Sequence, residues 1–293
     1  MHIPVFLNQV IDSLDVQPNE KYIDCTLGEG GHALEILKKQ GLLLGLDLDK
    51  RSIDFCTNKF QENNISEDKY ILEQANFKDI KKIALKNNFT QVKGIIADLG
   101  INTYLLEESN KGFTFKQDEV LDMRYGDTEV LAKDIINELS EKDLADLFYL
   151  YGEEPLSRHI AKAIVVHRRK EKITTTFALR DIILNTVFGS TSRKEKAITR
   201  IFQALRIKTN SELENLEILL EDSLNLLAEN GVLAIISFHS LEDRIVKTKF
   251  KSLDQGFEIL TKKPITCSKQ EFMHNKKSRS AKLRIIKKVS WKK

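Results

Sequence analysis

A glycine turn with an acid some way behind it carries the first chemical signal in this chain. Gly28-Glu29-Gly30-Gly31-His32 follows the strand-like run Lys21-Tyr22-Ile23-Asp24-Cys25-Thr26-Leu27 and leads into the helical pattern Ala33-Leu34-Glu35-Ile36-Leu37-Lys38-Lys39. A second apolar run, Leu42-Leu43-Leu44-Gly45-Leu46, then ends on Asp47-Leu48-Asp49. Glycines let a backbone approach a ligand closely and adopt positive φ, and an acid on the second strand can accept hydrogen bonds from ribose hydroxyls. The combination reads as a nucleoside cradle rather than as a tight turn beside solvated aspartates.

Two cofactor classes use such a unit. Gly28, Gly30 and Ala33 spell the dinucleotide fingerprint G-x-G-x-x-G/A, with Asp47 at about the expected ~20 residues. That spelling suits a nicotinamide enzyme. S-adenosylmethionine, which has a ribose but no pyrophosphate, suits the same cradle.

The elements around the turn place further candidates beside it. Tyr70-Ile71-Leu72-Glu73-Gln74 precedes Asn76-Phe77, and Gly94-Ile95-Ile96-Ala97 ends on Asp98-Leu99-Gly100. Gly231-Val232-Leu233-Ala234-Ile235-Ile236 ends on Ser237-Phe238-His239-Ser240. Short apolar runs alternating with helical ones predict an α/β fold with a mostly parallel sheet covered on both faces. Ligands of such sheets bind beyond the carboxyl ends of the strands, where Asp47, Phe77, Asp98 and His239 would gather.

Between Asp98 and Gly231 the chain is too long for one crossover. From about Leu131 to Thr186 the periodicity is helical, as in Glu141–Phe148 and Ser157–Val166. The expected organisation is a sheet domain made of residues 1–108 and 206–293, interrupted by a mainly helical insertion, 109–205. A helix is expected from Ser211 to Glu229, its leucine stripe (Leu213, Leu216, Leu220, Leu224, Leu227) packing into the core. Gly189-Ser190-Thr191-Ser192-Arg193 reads as a flexible break.

Length and composition bound the function. The 293 residues, 41% hydrophobic and 30% charged, are those of a globular protein with room for a substantial core. Net charge is +3, so any affinity for nucleic acid must come from local patches. Cys25, Cys56 and Cys267 are scattered without a C-x-x-C, which argues against a disulfide framework or a zinc site and fits a reducing cytosol. The first residues show no export signal, and no stretch approaches the roughly 20 apolar residues of a membrane span. No metal is expected.

Two basic zones stand out. Arg158, Lys162, Arg168, Arg169 and Lys170 lie on and after an amphipathic helix, where a solvated face is the default reading. Lys276, Lys277, Arg279, Lys282, Arg284, Lys287, Lys288, Lys292 and Lys293 form an acid-free tail that suits phosphate contacts.

A series of segments running the length of the chain resembles the bacterial 16S ribosomal RNA cytosine-N4 methyltransferases, the MraW/RsmH family. The matching pieces begin with His2-Ile3-Pro4-Val5, Asp24–His32 and Asp98-Leu99-Gly100. Lys111-Gly112-Phe113-Thr114-Phe115, Leu121-Asp122-Met123-Arg124, Tyr151-Gly152-Glu153-Glu154 and Phe202–Ile207 follow. Ser237–Arg244 and Ser278–Arg284 complete the series. The resemblance implies a class I (Rossmann-like) methyltransferase with an inserted helical domain for substrate recognition. It implies S-adenosylmethionine as cofactor and a decoding-centre (P-site) cytosine of 16S ribosomal RNA, within the 30S subunit, as target. The enzyme would be a cytoplasmic monomer or homodimer.

Carried across residue by residue, the resemblance implies a cofactor site of Gly28, Gly30, Gly31, His32, Asp47, Phe77 and Asp98. Asp47 would hold the ribose, Phe77 would pack near the adenine, and Asp98 would lie near the methionine end. Methylating a delocalised exocyclic nitrogen demands alignment and an acceptor for its proton, roles for which Asp98 and Asn102 are candidates and His239 a third. Tyr104, Phe113 or Phe115 could stack on a splayed base. Asp122, Arg124, Arg206 and Asn210 are candidates for RNA contact or loop ordering. The family pattern continues V-S-S-P-Q-L-D after Asp98-Leu99-Gly100, with its glutamine a cofactor contact; here Leu105 stands in its place. That departure supports an alternative, an RNA-binding ribosome-assembly factor of the same fold with weakened or lost catalysis.

Overall fold

Neighbouring residues along the central strands are both apolar, and each pair splits between two cores. The computed structural model describes residues 4–101, 103–107, 109–126, 129–253 and 255–290. The chain forms two units, Met1–Gly100 with Leu213–Lys293, and Ile101–Glu212. In the first, eight strands form one sheet: β1 (Lys21–Asp24), β2 (Leu42–Asp47), β3 (Tyr70–Gln74), β4 (Val92–Asp98), β5 (Leu227–Ser237), β6 (Phe257–Ile259), β7 (Ile265–Thr266) and β8 (Lys282–Lys288). The order is β3-β2-β1-β4-β5-β8-β6, with β7 also paired to β8. β1 to β5 run parallel, and β8 lies antiparallel between β5 and β6. Tyr22, Leu43, Ile96 and Ala234 enter one core, whereas Ile23, Leu44, Ile95 and Leu233 enter the other. A strand buried on both faces must read as a continuous apolar run, which is why these strands are legible in the sequence. Helices α1 (Leu7–Leu14), α2 (Gly31–Lys38) and α3 (Lys50–Glu62) cover the first face with Val10, Ile36 and Phe60. α4 (Ile80–Lys86) covers part of the second through Ile80 and Ile83.

The second unit is helical: α5 (Thr103–Glu107), α6 (Ala132–Glu138), α7 (Glu141–Leu150), α8 (Ser157–Arg168), α9 (Thr176–Thr186) and α10 (Thr191–Asn210). Its own core includes Phe148, Ile160, Ile164, Leu179, Ile201 and Leu205. Side-chain oxygens of Ser140, Thr175 and Ser190 cap α7, α9 and α10 by accepting from the third following N–H. Ser190 therefore opens a helix, and the break expected at Gly189–Arg193 narrows to the residues before it. This unit also extends beyond the expected 109–205. Leu105 is buried in its core, and the Asn210 amide accepts from the Tyr125 N–H and donates to the Met123 carbonyl.

The chain returns through α11 (Glu212–Leu226), then α12 (Ser240–Ser252) and α13 (Lys269–His274). α11 stops three residues before the expected end, because Leu227 pairs with Val92 and opens β5. A register shift follows, and Asn230 takes φ 63°. Leu216, Leu220 and Leu224 of α11, with Val246 and Phe250 of α12, complete the second core. Among the described residues no helix is long and apolar enough to cross a membrane.

The basic tail turns out to be partly internal. Arg284 Nε donates to Asp243 Oδ1 at 2.7 Å, Lys282 Nζ lies 3.0 Å from Oδ2, and Lys288 Nζ donates to the Leu227 carbonyl at 2.7 Å. These three cations anchor β8 to α12 and β5 and are not available to phosphate, which corrects the expectation for them. Lys276 and Arg279 are exposed. Lys292, Lys293 and the Lys277 side chain lie outside the described residues, as do His2 and Ile3.

Burial by itself would raise the Asp243 carboxyl, but hydrogen bonds from Arg284 and Lys282 outweigh it and hold it below the usual range. A folded value below the unfolded one stabilises the protein above the unfolded pKa, and the gain is lost as pH falls through the folded value. Asp243→Ala leaves Arg284, 6% exposed, without its counter-charge, a change that costs about 3 kcal/mol. Urea denaturation followed by circular dichroism should give that loss at pH 7 and a smaller gap below about pH 4. An equal loss at both pH values would refute this account of the pair.

Candidate active site

β1 is apolar up to Asp24, and the chain then leaves the sheet while staying bonded to it. The Cys25 N–H donates to the Ile96 carbonyl (2.8 Å) and the Leu27 N–H to the Leu46 carbonyl (2.9 Å), which ties the exit to β4 and β2. The Thr26 hydroxyl accepts from the Asp98 N–H at 2.6 Å. Asp47 accepts from the Gly28 N–H through Oδ2 and from the Asp49 N–H through Oδ1, both at 2.8 Å. From the other side α3 holds the turn's carbonyls: the Cys56 thiol lies 3.4 Å from the Gly28 oxygen and Lys59 Nζ donates to the Glu29 oxygen at 2.7 Å. Burial raises the Asp47 carboxyl, and the N–H groups of Asp49 and Gly28 pull it back. The Ser52 side chain also hydrogen-bonds this carboxylate, which leaves one of its four lone pairs with which to accept a ribose hydroxyl.

Glycine is demanded at two places here. Gly30 caps α2 at φ +67°, and a Cβ there would lie 2.6 Å from Cys56 Sγ. At Gly31 a Cβ would come within 2.0 Å of Pro4 Cγ. His32 follows in the first turn of α2, 5% exposed, with Nε2 3.1 Å from the Val5 carbonyl oxygen. Burial pulls its pKa down to about 4, so the ring is neutral at pH 7. A carbonyl only accepts, which puts the ring proton on Nε2 and leaves Nδ1 bare. The ring thus fastens the N-terminal segment to α2. Toward the turn, His32 can offer its backbone N–H, one of those a helix start leaves without an intrahelical partner.

Three carboxylates end three adjacent strands: Asp47 on β2, Asp24 on β1 and Asp98 on β4. Asp24 is absent from the candidates read from sequence, although an acid inside an apolar run just before a glycine turn is a usable signal. Burial raises its pKa to about 7, the Thr26 N–H works against the rise, and the charges of Asp98 and Asp47 add to it. Asp98 is half-buried, with Oδ1 accepting from the Gly100 N–H at 3.1 Å. Phe77, also half-buried, opens a short 3-10 turn after β3 and packs against the second core; the preceding Ala75 N–H donates to the Asp47 carbonyl oxygen at 2.8 Å. Such an acid-rich edge suits a ligand that carries positive charge near a nucleoside. A sulfonium and an ammonium group fit it, whereas a pyrophosphate would be repelled.

His239 is the N-cap of α12. Its Nδ1 accepts from the Glu242 N–H at 3.4 Å, while Glu242 Oε2 accepts from the N–H groups of Phe238 (2.8 Å) and His239 (3.2 Å). The capping box is therefore His239 with Glu242. Nε2 sits 3.1 Å from Glu242 Oε1 without hydrogen-bond alignment. The ring is occupied in shaping the helix start. Asn102 lies outside the described residues.

The remaining candidates belong to unit Ile101–Glu212, where they mostly organise one another. Phe113 stacks on Tyr125 (centroids 5.4 Å apart, planes 9° apart) and Phe115 meets Phe202 edge-on at 5.6 Å. Phe113 is buried and Tyr104 and Phe115 are half-buried against the same core, so a base could stack on Phe113 only after the core opened. Arg124 grips Asp122 with two hydrogen bonds of 2.7 and 2.9 Å. Burial opposes ionisation of Asp122, but Arg124 holds the carboxyl below its ordinary value. Arg206 forms a similar fork with Glu212 (2.7 and 2.9 Å), and Asn210 braces the loop at Met123 and Tyr125. Loop ordering accounts for these contacts. Leu105 packs in the core as an apolar residue should.

Comparison with known proteins gives a consistent family. Residues 1–289 match the model of the MraW methylase family. A ribosomal RNA small subunit methyltransferase H of Clostridium botulinum (strain Loch Maree / Type A3) is 40% identical over 309 residues, covering 98% of this chain and 99% of that protein. The protein of the same name from Sulfurihydrogenibium sp. (strain YO3AOP1) is 41% identical over 295 residues, with the same coverage. Among solved structures, an rRNA methylase from Streptococcus thermophilus aligns with a TM-score of 0.45 at 10% identity, covering 99% of this chain and 100% of that one, a likeness too distant to build on.

The acid cluster makes a measurable demand on stability. Asp24 has a folded value of about 7 against an ordinary 3.8, so the folded state binds the proton more tightly. Stability must then fall as pH rises from about 4 to 7, and the penalty is complete above 7. Asp24→Asn should therefore stabilise the ligand-free protein at pH 8 by on the order of 2 kcal/mol, and by less at pH 5. Thermal melts of both proteins at the two pH values measure this; a variant no more stable at pH 8 than at pH 5, relative to wild type, contradicts it.

Proposed function

The chain belongs to the MraW methylase family, and from that premise we propose that it methylates the N4 amino group of a decoding-centre (P-site) cytosine in 16S ribosomal RNA. S-adenosylmethionine supplies an electrophilic methyl group on a sulfonium when bound. The observation that carries the reading is the edge formed by Asp24, Asp47 and Asp98 around the glycine turn, which has the charge to hold that donor and the wrong charge for a dinucleotide. The names of the two relatives, ribosomal RNA small subunit methyltransferases, support the choice of RNA.

Roles follow from the chemistry of each residue. Asp47 accepts from a ribose hydroxyl, and its own hold on the Gly28 N–H fixes the turn against the same sugar. Gly30 and Gly31 let Cys56 and Pro4 pack against the turn, and Gly28 leaves open space where the backbone can approach a ligand. His32 keeps α2 in register by its tie to Val5, and Phe77 offers an apolar surface to the adenine. Asp24 and Asp98 balance the donor's positive charge. Asp98 and Asn102 are the acceptors assigned to the cytosine amino group, whose proton must leave as the nitrogen becomes methylated. Alignment supplies the rest, since orientation alone contributes several kcal/mol.

The assay uses purified full-length protein, labelled S-adenosylmethionine and 30S particles that lack the modification. Nuclease digestion and mass spectrometry should find N4-methylcytidine in a single decoding-centre fragment. Asp98→Ala should lower turnover by at least 100-fold while the fold survives. Association with 30S particles and bound donor but no transferred methyl group would favour the assembly-factor reading instead. Calorimetry that detects a nicotinamide dinucleotide and not S-adenosylmethionine would overturn both.

A further inference from the structure

α8 has two faces of opposite chemistry. Its inner face, Ile160, Ala161, Ile164 and Val165, is buried in the core of unit Ile101–Glu212. Outward, Arg158, His159, Lys162, Val166 and His167 are exposed, and Arg169 and Lys170 are exposed just past the helix end. No Asp or Glu occurs from Pro155 to Lys170. At about 100° per residue, Arg158, Lys162 and Arg169 fall within ~40° of one another around the axis, in a row roughly 17 Å long.

A solvated face is the ordinary explanation for charge on a helix, but such faces mix both signs. α7 does so with Glu141, Lys142, Asp143 and Asp146 exposed together. α8 does not. The neighbouring Arg168 has a structural task, donating to the carbonyls of Ile136 and Leu139 at the end of α6. Arg158, Lys162, Arg169 and Lys170 have no hydrogen-bond or ion-pair partner among the described residues. The nearest acids in sequence do not neutralise them: Glu154 is buried against Arg200, and Glu153 and Glu171 stand at the two ends.

We infer that the outer face of α8 is a docking surface for the phosphate backbone of the substrate RNA. This rests on the reading of the protein as an rRNA methyltransferase. A row of unpaired cations about 17 Å long can follow several phosphates of one strand, each contact releasing counterions. An anionic membrane is the poorer match, because Val166 is the one large apolar side chain on that face and an interfacial helix needs an apolar side to insert. Sequence alone assigns this helix to solvent; its single sign and its unpaired cations reverse that.

The test compares wild type with a variant carrying Arg158→Glu, Lys162→Glu and Arg169→Glu, and with the milder triple glutamine variant in case charge reversal impairs folding. Anisotropy of a labelled 16S rRNA fragment is read across a salt series, beside thermal melts and S-adenosylmethionine affinity. RNA affinity should fall at least tenfold at about 0.1 M salt. The slope of log K against log salt should shrink by roughly 2, at about 0.7–0.9 for each phosphate that is no longer neutralised. Melting and donor affinity should match wild type. Wild-type affinity and slope in both variants would overturn the inference, as would anionic vesicles competing away the RNA from wild type but not from the variant. Wild-type protein that binds RNA with this salt dependence yet methylates no 30S cytosine would sink the proposed function and leave the surface standing. Normal methylation with an unaltered slope in the variants would do the reverse.

Discussion

Residues Cys25 to Gly31 leave the sheet, and the chemistry of the strand edge depends on how little freedom they then have. Backbone hydrogen bonds run sideways from Cys25 and Leu27 to both flanking strands. Thr26 grips the Asp98 N–H, Asp47 grips the Gly28 N–H, and Cys56 and Lys59 reach up from α3 to the carbonyls of Gly28 and Glu29. A turn so bound has one arrangement, and its Gly28 and Thr26 N–H groups fix the carboxylates of Asp47 and Asp24 by the same bonds that fix itself. The ordering entropy is met during folding, so a ligand does not have to supply it on binding.

Crowding three acids on adjacent strand ends opposes stability, and the opposition is chemically informative. Asp24 is fully enclosed and feels the charges of Asp98 and Asp47 after the larger effect of its own burial. Among the described residues no internal cation answers it in the way that Arg284 and Lys282 answer Asp243. The two clusters lie in one unit and show the same residue type used in opposite senses. The Asp243 group is closed by its two cations and serves the sheet, whereas Asp24 is crowded by like charge. Perturbed carboxylates of the second kind concentrate at functional sites. A cationic ligand at that edge and a proton on Asp24 compete, so the site couples binding to protonation through plain electrostatics.

Sequence makes the sheet legible because strands buried on both faces cannot hide their apolar runs; β3 is delimited to the residue, and β2, β4 and β5 to within a few. It also discloses the glycine turn, whose φ values and tight contacts allow few alternatives. Other features depend on partners far away in the chain. β8 reads as part of a basic tail suited to phosphate contacts until Asp243, 41 residues before Arg284, is known to face it. Leu227 continues the leucine spacing of α11, and only its pairing with Val92 turns it into a strand. His239 stands in the sequence as a candidate base after a strand, and its pairing with Glu242 in the cap comes only from the structure. Asp24 escapes notice for the converse reason: a single acid does not interrupt an apolar pattern.

The unit Ile101–Glu212 separates two duties that its motifs run together. Phe113, Asp122, Arg124 and Asn210 take part in a set of stacks, forks and amide bonds. Glu119, itself buried, adds a bond to the Gly112 N–H at 2.7 Å, where the backbone turns through φ +76°. These contacts hold the loop in one arrangement. The groups that the fold leaves exposed in this unit include the cations of α8 and residues such as Lys116 and Gln117 at the loop's outer edge. These motif residues build a framework, and the exposed charge around it is of the kind that positions a protein on a phosphate backbone.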